Sequence, residues 1–338
     1  MTSPAGGGRR PTIRDVAAAS GVSRGTVSRY INGGHWVSAE SRTAIEAAIR
    51  ATGFQANPHA RALATGRSGA VGFLITEPQH LLFDDPVFAL MLRGATAATA
   101  ARDLQLVLLM ASDEADRRRV VDYVTARHID GVMLASTHRS DPMLGTLLRH
   151  EVPTVTLGVA LGHEGRVSSV TADDRLGGRE ATRYLLSRGR RRVATITGPE
   201  GTPGGVLRHE GYHEALGESY DERLVVHGDY ARASGRAGMA ELLDRDPGVD
   251  AVFAHNDIMA LGAIEELHDR GLTVPGDVAV VGFDDSGPGE RSRPALTTMR
   301  QPYERLAFEM VRLLVAAIEG EPPSGVVMPA TLVARESA

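Results

Sequence analysis

Between Ile13 and Ile49 the apolar residues recur every three or four positions, and from Ala70 onward continuous apolar runs alternate with amphipathic stretches. The first region predicts short helices. Thr12 and Asp15 form a capping pattern ahead of Ile13, Val16 and Ala17, and Gly21 ends that helix because glycine accepts the left-handed turn without strain. Ser23 caps a second helix, Arg24 to about Asn32, buried through Val27 and Ile31 and broken by Asn32-Gly33-Gly34. Ser38 caps a third, with Ala44, Ile45, Ala48 and Ile49 inward, which stops at Gly53. Asn57-Pro58 opens a further helix through His59, Ala60, Arg61 and Leu63, too short to be stable by itself, and 65–69 reads as a linker.

The remainder predicts strands at 70–75, 105–110, 131–134, 154–157, 192–196, 224–226, 251–254 and 278–283. Helices are expected at 88–101, 114–127, 178–187, 206–216, 257–270 and 303–319. Apolar strands separated by helices imply parallel sheets covered on both faces, and this many strands fit two doubly wound lobes better than one. The fold class is therefore α/β: an all-α helix-turn-helix head on a two-lobed body. The expected division is a disordered tail at 1–11, the head at 12–56, a hinge helix and linker at 57–68, and the body at 69–338. Within the body, one lobe is expected at about 69–166 and 300–324, the other at about 167–299 and 325–338.

Charge sharpens the division. The net charge is −5, yet residues 1–66 hold eight arginines against Asp15, Glu40 and Glu46, a net of +5 that leaves −10 on the rest. A basic head on an acidic body points to a polyanion at the head alone. There is no cysteine, which excludes disulfides, thiolate metal sites and cysteine nucleophiles. There is no lysine either, which excludes a phosphate-loop ATPase and Schiff-base chemistry. Apolar runs such as Leu104 to Met110 are far too short to span a bilayer, and no signal peptide is read at the start. A cytoplasmic location is expected.

Two helices joined by a short glycine turn, with a third to close the core, form a helix-turn-helix unit. Opposite Val27 and Ile31, the second helix carries Arg24, Gly25, Ser28 and Arg29. Arginine pairs best with guanine edges in the major groove, and Ser23 and Thr26 are short donors suited to phosphates. In the body, ligands sit beyond the carboxyl ends of parallel strands. There the chain places Asp173, Asn256-Asp257, Asp284-Asp285 and the 198–205 loop, with Arg208 opening the next helix. Carboxylates, an amide and a guanidinium together satisfy hydroxyls that both donate and accept, as on a sugar. Asp257, which opens a helix, reads as a cap.

The runs from Thr12 to Asn32 and Asn57 to Leu63 resemble the DNA-binding head and hinge of the lactose-repressor (LacI/GalR) family. The body motifs Asp173–Gly178, Ile196–Gly198, Arg208–Tyr212, His255–Gly262, Pro275–Asp285 and Pro294–Pro302 resemble the same family. The resemblance implies a periplasmic-binding-protein-like body and a recognition helix in the major groove. It implies that Arg24, Gly25 and Arg29 face base edges of double-stranded DNA, that Ser23, Thr26 and Ser28 meet phosphates, and that Leu63 wedges open a base step. Thr12, Asn32, Asn57 and Ala60 complete the implied DNA-binding set. Gly25 stands where a larger side chain is usual, so less direct readout is expected at one operator position. Implied effector contacts are Phe83, Asp85, Phe88, Asp173, Arg208, Tyr230, Asn256, Asp284, Gln301 and Tyr303. A pseudo-palindromic operator, a carbohydrate effector and a homodimer are implied partners, the chain ending at Ala338 without a leucine-heptad tail.

His209-Glu210-Gly-Tyr-His213 matches a zinc-protease motif, which would need a third ligand; it lies inside the Arg208–Tyr212 family motif. No catalytic triad is found, so neither an enzyme, a metal nor a cofactor is expected. The expected function is a ligand-controlled transcriptional repressor; a solute-binding protein of the same body fold is the second reading, a zinc hydrolase the third.

Overall fold

The computed structural model describes residues 11–31, 36–55, 66–139 and 141–338, in two compact units, one up to Gly69 and one from Ala70 to Ala338.

In the first unit the helices run Ile13–Ser20, Arg24–Ile31 and Ala39–Thr52. Their apolar faces meet: Val16, Val27 and Ile45 are fully buried, with Val37 and Ala48 beside them. The Asp15 carboxylate accepts from both the Thr12 amide and the Thr12 hydroxyl at 2.7 Å, and Ser38 Oγ accepts from the Ser41 amide. Gly21 and Gly53 take φ of 70° and 66° at the ends of the first and third helices. Asn32, Asn57, Ala60 and Leu63, and with them the expected hinge helix, lie outside the described residues.

In the second unit one six-stranded sheet contains β1 (Ala70–Ile75), β2 (Gln105–Met110), β3 (Val132–Leu134), β4 (Thr154–Leu157), β5 (Ser168–Ala172) and β11 (Gly325–Met328), in the order β11-β5-β4-β3-β1-β2. The other contains β6 (Val193–Thr197), β7 (Val225–His227), β8 (Ala251–Ala254), β9 (Ala279–Asp284), β10 (Thr297–Arg300) and β12 (Thr331–Val333), in the order β12-β10-β9-β8-β6-β7. All pairings are parallel except that of β10 with β12. The apolar strands expected from the sequence form with small shifts at their ends. Strands β5, β10, β11 and β12 were not expected: serine and threonine make up most of β5 and threonine half of β10, and the other two are short edge strands. Helix Arg232–Arg245 also escaped, its pattern diluted by Gly235 and Gly238.

The chain passes between the sheets at three places: Asp173, Gln301-Pro302 and Pro329-Ala330. The lobe boundaries therefore differ from expectation. β5 and β11 belong to the first sheet, whereas the sequence assigned 167–172 and 325–328 to the second lobe.

Candidate functional site

The carboxyl ends of both sheets and two of the three crossings converge on a cavity of about 180 Å3. Helices Asp174–Ser187 and Pro203–Leu216 cross beside it at backbone contact. A Cβ on Gly178 would stand 2.3 Å from the Arg208 carbonyl oxygen, and one on Gly211 2.1 Å from that of Arg175. Glycine alone permits this approach. It sets Arg208 against Asp174, Nε donating to Oδ1 at 2.8 Å. Arg208 Nη1 donates to the His255 carbonyl, Nη2 lies 3.8 Å from Asp284 Oδ1, and the guanidinium sits 3.8 Å from the Phe283 ring centroid.

Asp284 ends β9 with φ of 115°, and Asp285 follows with φ of 53°; two successive non-glycine residues at positive φ store strain at the strand end. Asp285 turns away to pair with Arg300 and Arg335, at 2.6 and 2.7 Å. Gln301, on the second crossing, donates from Nε2 to Asp284 Oδ1 at 2.7 Å. Asn256 caps helix Asp257–Asp269 through Oδ1 and donates from Nδ2 to the Tyr230 carbonyl at 2.9 Å, fixing Tyr230 at φ of 70°. The Tyr230 ring lies so close to Gly198 that a Cβ there would be 2.2 Å away, and its hydroxyl is 3.1 Å from Thr202 Oγ1.

The other wall comes from the first sheet. Asp85 caps helix Pro86–Ala100, one oxygen accepting from the Val87 amide at 2.9 Å. Glu77, just beyond β1, accepts from Ser136 Oγ and from His138 Nε2, the latter at 2.5 Å. Among the described residues the buried hydroxyls of Tyr303 and Thr137, which both line the cavity, have no protein partner.

Burial works against the Arg208 charge, but Asp174 and Asp284 outweigh it and hold the guanidinium more firmly protonated than usual. Burial pushes Asp284 well above the ordinary carboxyl range; Asp257 and Asp85 push the same way, and Arg208 opposes them. Burial likewise raises Asp85, while Val87 and Arg208 pull it back. Burial would raise Glu77 too, but the hydrogen bonds from His138 and Ser136 bring it below its usual value. His138 is raised by its bond to Glu77.

Of the residues expected at an effector, Asp85, Phe88, Arg208, Tyr230, Asn256, Asp284, Gln301 and Tyr303 line this one cavity. Two do not. Asp173 is the helix cap, its side chain accepting from the Leu176 amide, and the cavity carboxylate is the next residue, Asp174. Phe83, on helix Gln79–Asp84, is 82% exposed and outside the lining. The cap expected at Asp257 is Asn256. Asp257 instead is buried, accepts from the Ser286 amide and Thr298 Oγ1, and is pushed by burial up to about 7. Sequence reading missed Glu77, Ser136 and His138. All three follow the apolar strands β1 and β3, and that position is their signal in the sequence.

On the head, Ser23, Arg24, Gly25 and Arg29 are exposed, and Thr26 and Ser28 half-buried. Ser23 Oγ accepts from the Thr26 amide at 3.1 Å and lies 2.8 Å from Thr26 Oγ1, so the two hydroxyls mark the helix start together. Arg24 opens that helix, and Arg29 Nη2 would stand 3.9 Å from a Cβ on Gly25, so Arg29 reaches back toward the positive helix start.

The zinc-protease pattern does not assemble. His209 lies 3.3 Å from the Tyr220 hydroxyl, the His213 ring packs 4.3 Å from the Tyr220 ring, and Glu210 is 3.8 Å from Arg175. Among the described residues no group of three histidine or carboxylate side chains could hold a metal, and no helix is long and apolar enough to cross a membrane.

Comparison with known proteins agrees with both halves. Residues 12–57 match the family described as bacterial regulatory proteins, lacI family, and 182–338 match the periplasmic binding protein-like domain. The chain is 45% identical to the HTH-type transcriptional regulator CelR of Thermobifida fusca, over 97% of this chain and 98% of that one. It is 33% identical to the ribose operon repressor of Escherichia coli, over 91% and 93%. Among solved structures, a complex of the transcriptional regulator CelR with cellobiose superposes with a TM-score of 0.78 at 43% identity, covering 97% of this chain and all of that one. The lac repressor dimer bound to operator and an anti-inducer gives 0.82 at 25% identity, over 97% and 99%. A head whose second helix presents arginines, joined to a two-lobed body with a polar cavity, and relatives alike over nearly their whole length lead to one conclusion: this chain belongs to the lacI family of bacterial transcriptional regulators.

Proposed function

We propose that the protein is a dimeric repressor that binds a pseudo-palindromic operator in the cytoplasm and is controlled by a carbohydrate held between the lobes of its body. In this reading Arg24 and Arg29 meet base edges, and Ser23, Thr26 and Ser28 meet phosphates. Leu108, exposed on edge strand β2, and Phe308, exposed on helix Tyr303–Ile318, offer apolar surface to a second copy. The relative solved with operator is itself a dimer.

One observation carries the carbohydrate assignment. Arg208, Asn256, Asp284, Tyr303 and Asp85 bring donors and acceptors of both kinds to one buried cavity, several with capacity unused by the protein. Vicinal hydroxyls satisfy such a set, whereas an apolar ligand would leave it unpaired. The solved relative that holds cellobiose fits this chemistry. Binding calls for no reacting group, and the action is a shift in population between lobe arrangements, limited by the sugar's differential affinity for the two. A thermal-shift screen of the full-length protein against a carbohydrate panel tests the reading. At least one sugar raises the melting temperature with concentration, and Arg208→Ala abolishes the rise. A panel without effect overturns it.

A further inference from the structure

The cavity wall is richer in acid than in base. Glu77, Asp85, Asp174, Asp229 and Asp284 line it against Arg208 and His138, with Asp229 exposed and accepting from the Ala231 amide. Both cations are already engaged inside the protein. Arg208 is bound to Asp174 at 2.8 Å and faces Asp284 at 3.8 Å, and His138 is bound to Glu77 at 2.5 Å. Apart from the exposed Asp229, what remains is a pair of carboxyl groups from opposite lobes, Asp85 and Asp284. Asp85 has one oxygen on the Val87 amide and Asp284 one on Gln301, and the Tyr303 hydroxyl stands beside Asp284 as its neutral neighbour. Among the described residues, the cavity lining holds no other cation.

We propose that the cleft selects its ligand by charge, admitting uncharged polyols and rejecting phosphorylated or carboxylated sugars, with Asp85 and Asp284 as the filter. The inference rests on the carbohydrate reading and deepens it. A neutral sugar offers hydroxyl protons to each carboxyl group, and so ties the lobes together through the ligand. A phosphate or carboxylate offers no such proton. It brings a further negative charge into a buried space where the guanidinium is shared between two carboxylates already, and like charges at close quarters are strongly disfavoured. Desolvation makes this worse, because a buried anion needs its own cation and both cations are in use; the hydroxyls of Tyr303 and Thr137 carry no charge to replace one.

Isothermal titration calorimetry on the full-length protein, with matched ligands, tests the proposal. Cellobiose and glucose are the neutral probes, cellobionate and glucose 6-phosphate their anionic partners. The neutral member of a pair is expected to bind roughly a hundredfold more tightly than the anionic one. In Asp85→Asn, which retains a capping side chain for helix Pro86–Ala100, that ratio narrows to about tenfold or less. Equal binding of neutral and anionic sugars by the wild type overturns the charge filter and leaves the carbohydrate reading standing. An unchanged ratio in Asp85→Asn removes Asp85 from the filter and overturns the proposal as stated. Failure of every sugar to bind, at either charge, overturns the carbohydrate reading and the filter with it.

Discussion

Gly178 and Gly211 face each other's helices at backbone contact, and the Asp174–Arg208 ion pair sits one turn from that crossing. The pair is thus placed by two missing side chains. A methyl group at either glycine must push apart helices that have no slack, at a cost of typically 1–3 kcal/mol. Gly211→Ala is expected to lower the unfolding midpoint in urea and to weaken sugar binding, because Arg208 moves with its helix. A variant with normal stability and affinity would show that the crossing does not position the guanidinium.

Removing the guanidinium is more severe. Arg208→Ala leaves Asp174 and Asp284 buried without their cation, and breaking one partner of a buried pair costs about 3–5 kcal/mol. Chemical denaturation should show that loss in the body. A milder outcome is expected for Arg208→Ala combined with Asp174→Asn, since fewer charges are then stranded.

Tyr303 behaves oppositely. Its buried hydroxyl has no protein partner among the described residues, so Tyr303→Phe removes an unsatisfied polar group and should leave stability unchanged or slightly raised. Sugar affinity should nevertheless fall, by roughly 0.5–1.5 kcal/mol for one lost hydrogen bond. A variant that loses stability but binds normally would place the hydroxyl in the fold rather than at the ligand.

The Glu77–His138 pair predicts a pH window. Glu77 is lowered, so its contribution is present above about 4.5 and fades as pH falls through its folded value. His138 is raised, so its contribution is complete below about 6.5 and is lost as pH rises through its folded value. The pair therefore stabilises the first lobe most between these limits. The stability difference between wild type and His138→Gln, measured from pH 4 to 9, should peak there and shrink on both sides; a flat difference contradicts the pairing.

On the head, Arg29→Ala should weaken operator binding by roughly 1–3 kcal/mol and relax the preference at one base pair. An equal loss on every sequence would confine Arg29 to phosphate contact.

Much of this architecture was legible in the sequence because its signals were local. Val16, Val27 and Ile45 repeat at helical spacing, and Ala251–Ala254 is apolar throughout because both faces of its sheet are covered. What escaped depends on long-range placement. β5 and β10 are strands by virtue of their neighbours rather than their serine- and threonine-rich composition, and β5 moves the lobe boundary. At the site, Arg208, Asn256 and Asp284 were found by their position after strands. The family resemblance points to Asp173, but only the pairing of helices shows that its neighbour Asp174 is the one that meets Arg208. Asp257 was misjudged for a similar reason: its partners, Ser286 and Thr298, are far along the chain.

In the proposed function the head binds DNA and the ligand of the body governs that binding. Equilibrium binding of the full-length protein to duplex DNA selected from a randomised pool, titrated with sugar, tests this most directly. Wild type should bind with strong salt dependence and change affinity when sugar saturates the body; Arg208→Ala should bind DNA without the sugar response, and a chain starting at Ser68 should not bind. Undiminished DNA binding by the chain starting at Ser68, or a sugar response that survives Arg208→Ala, would contradict it.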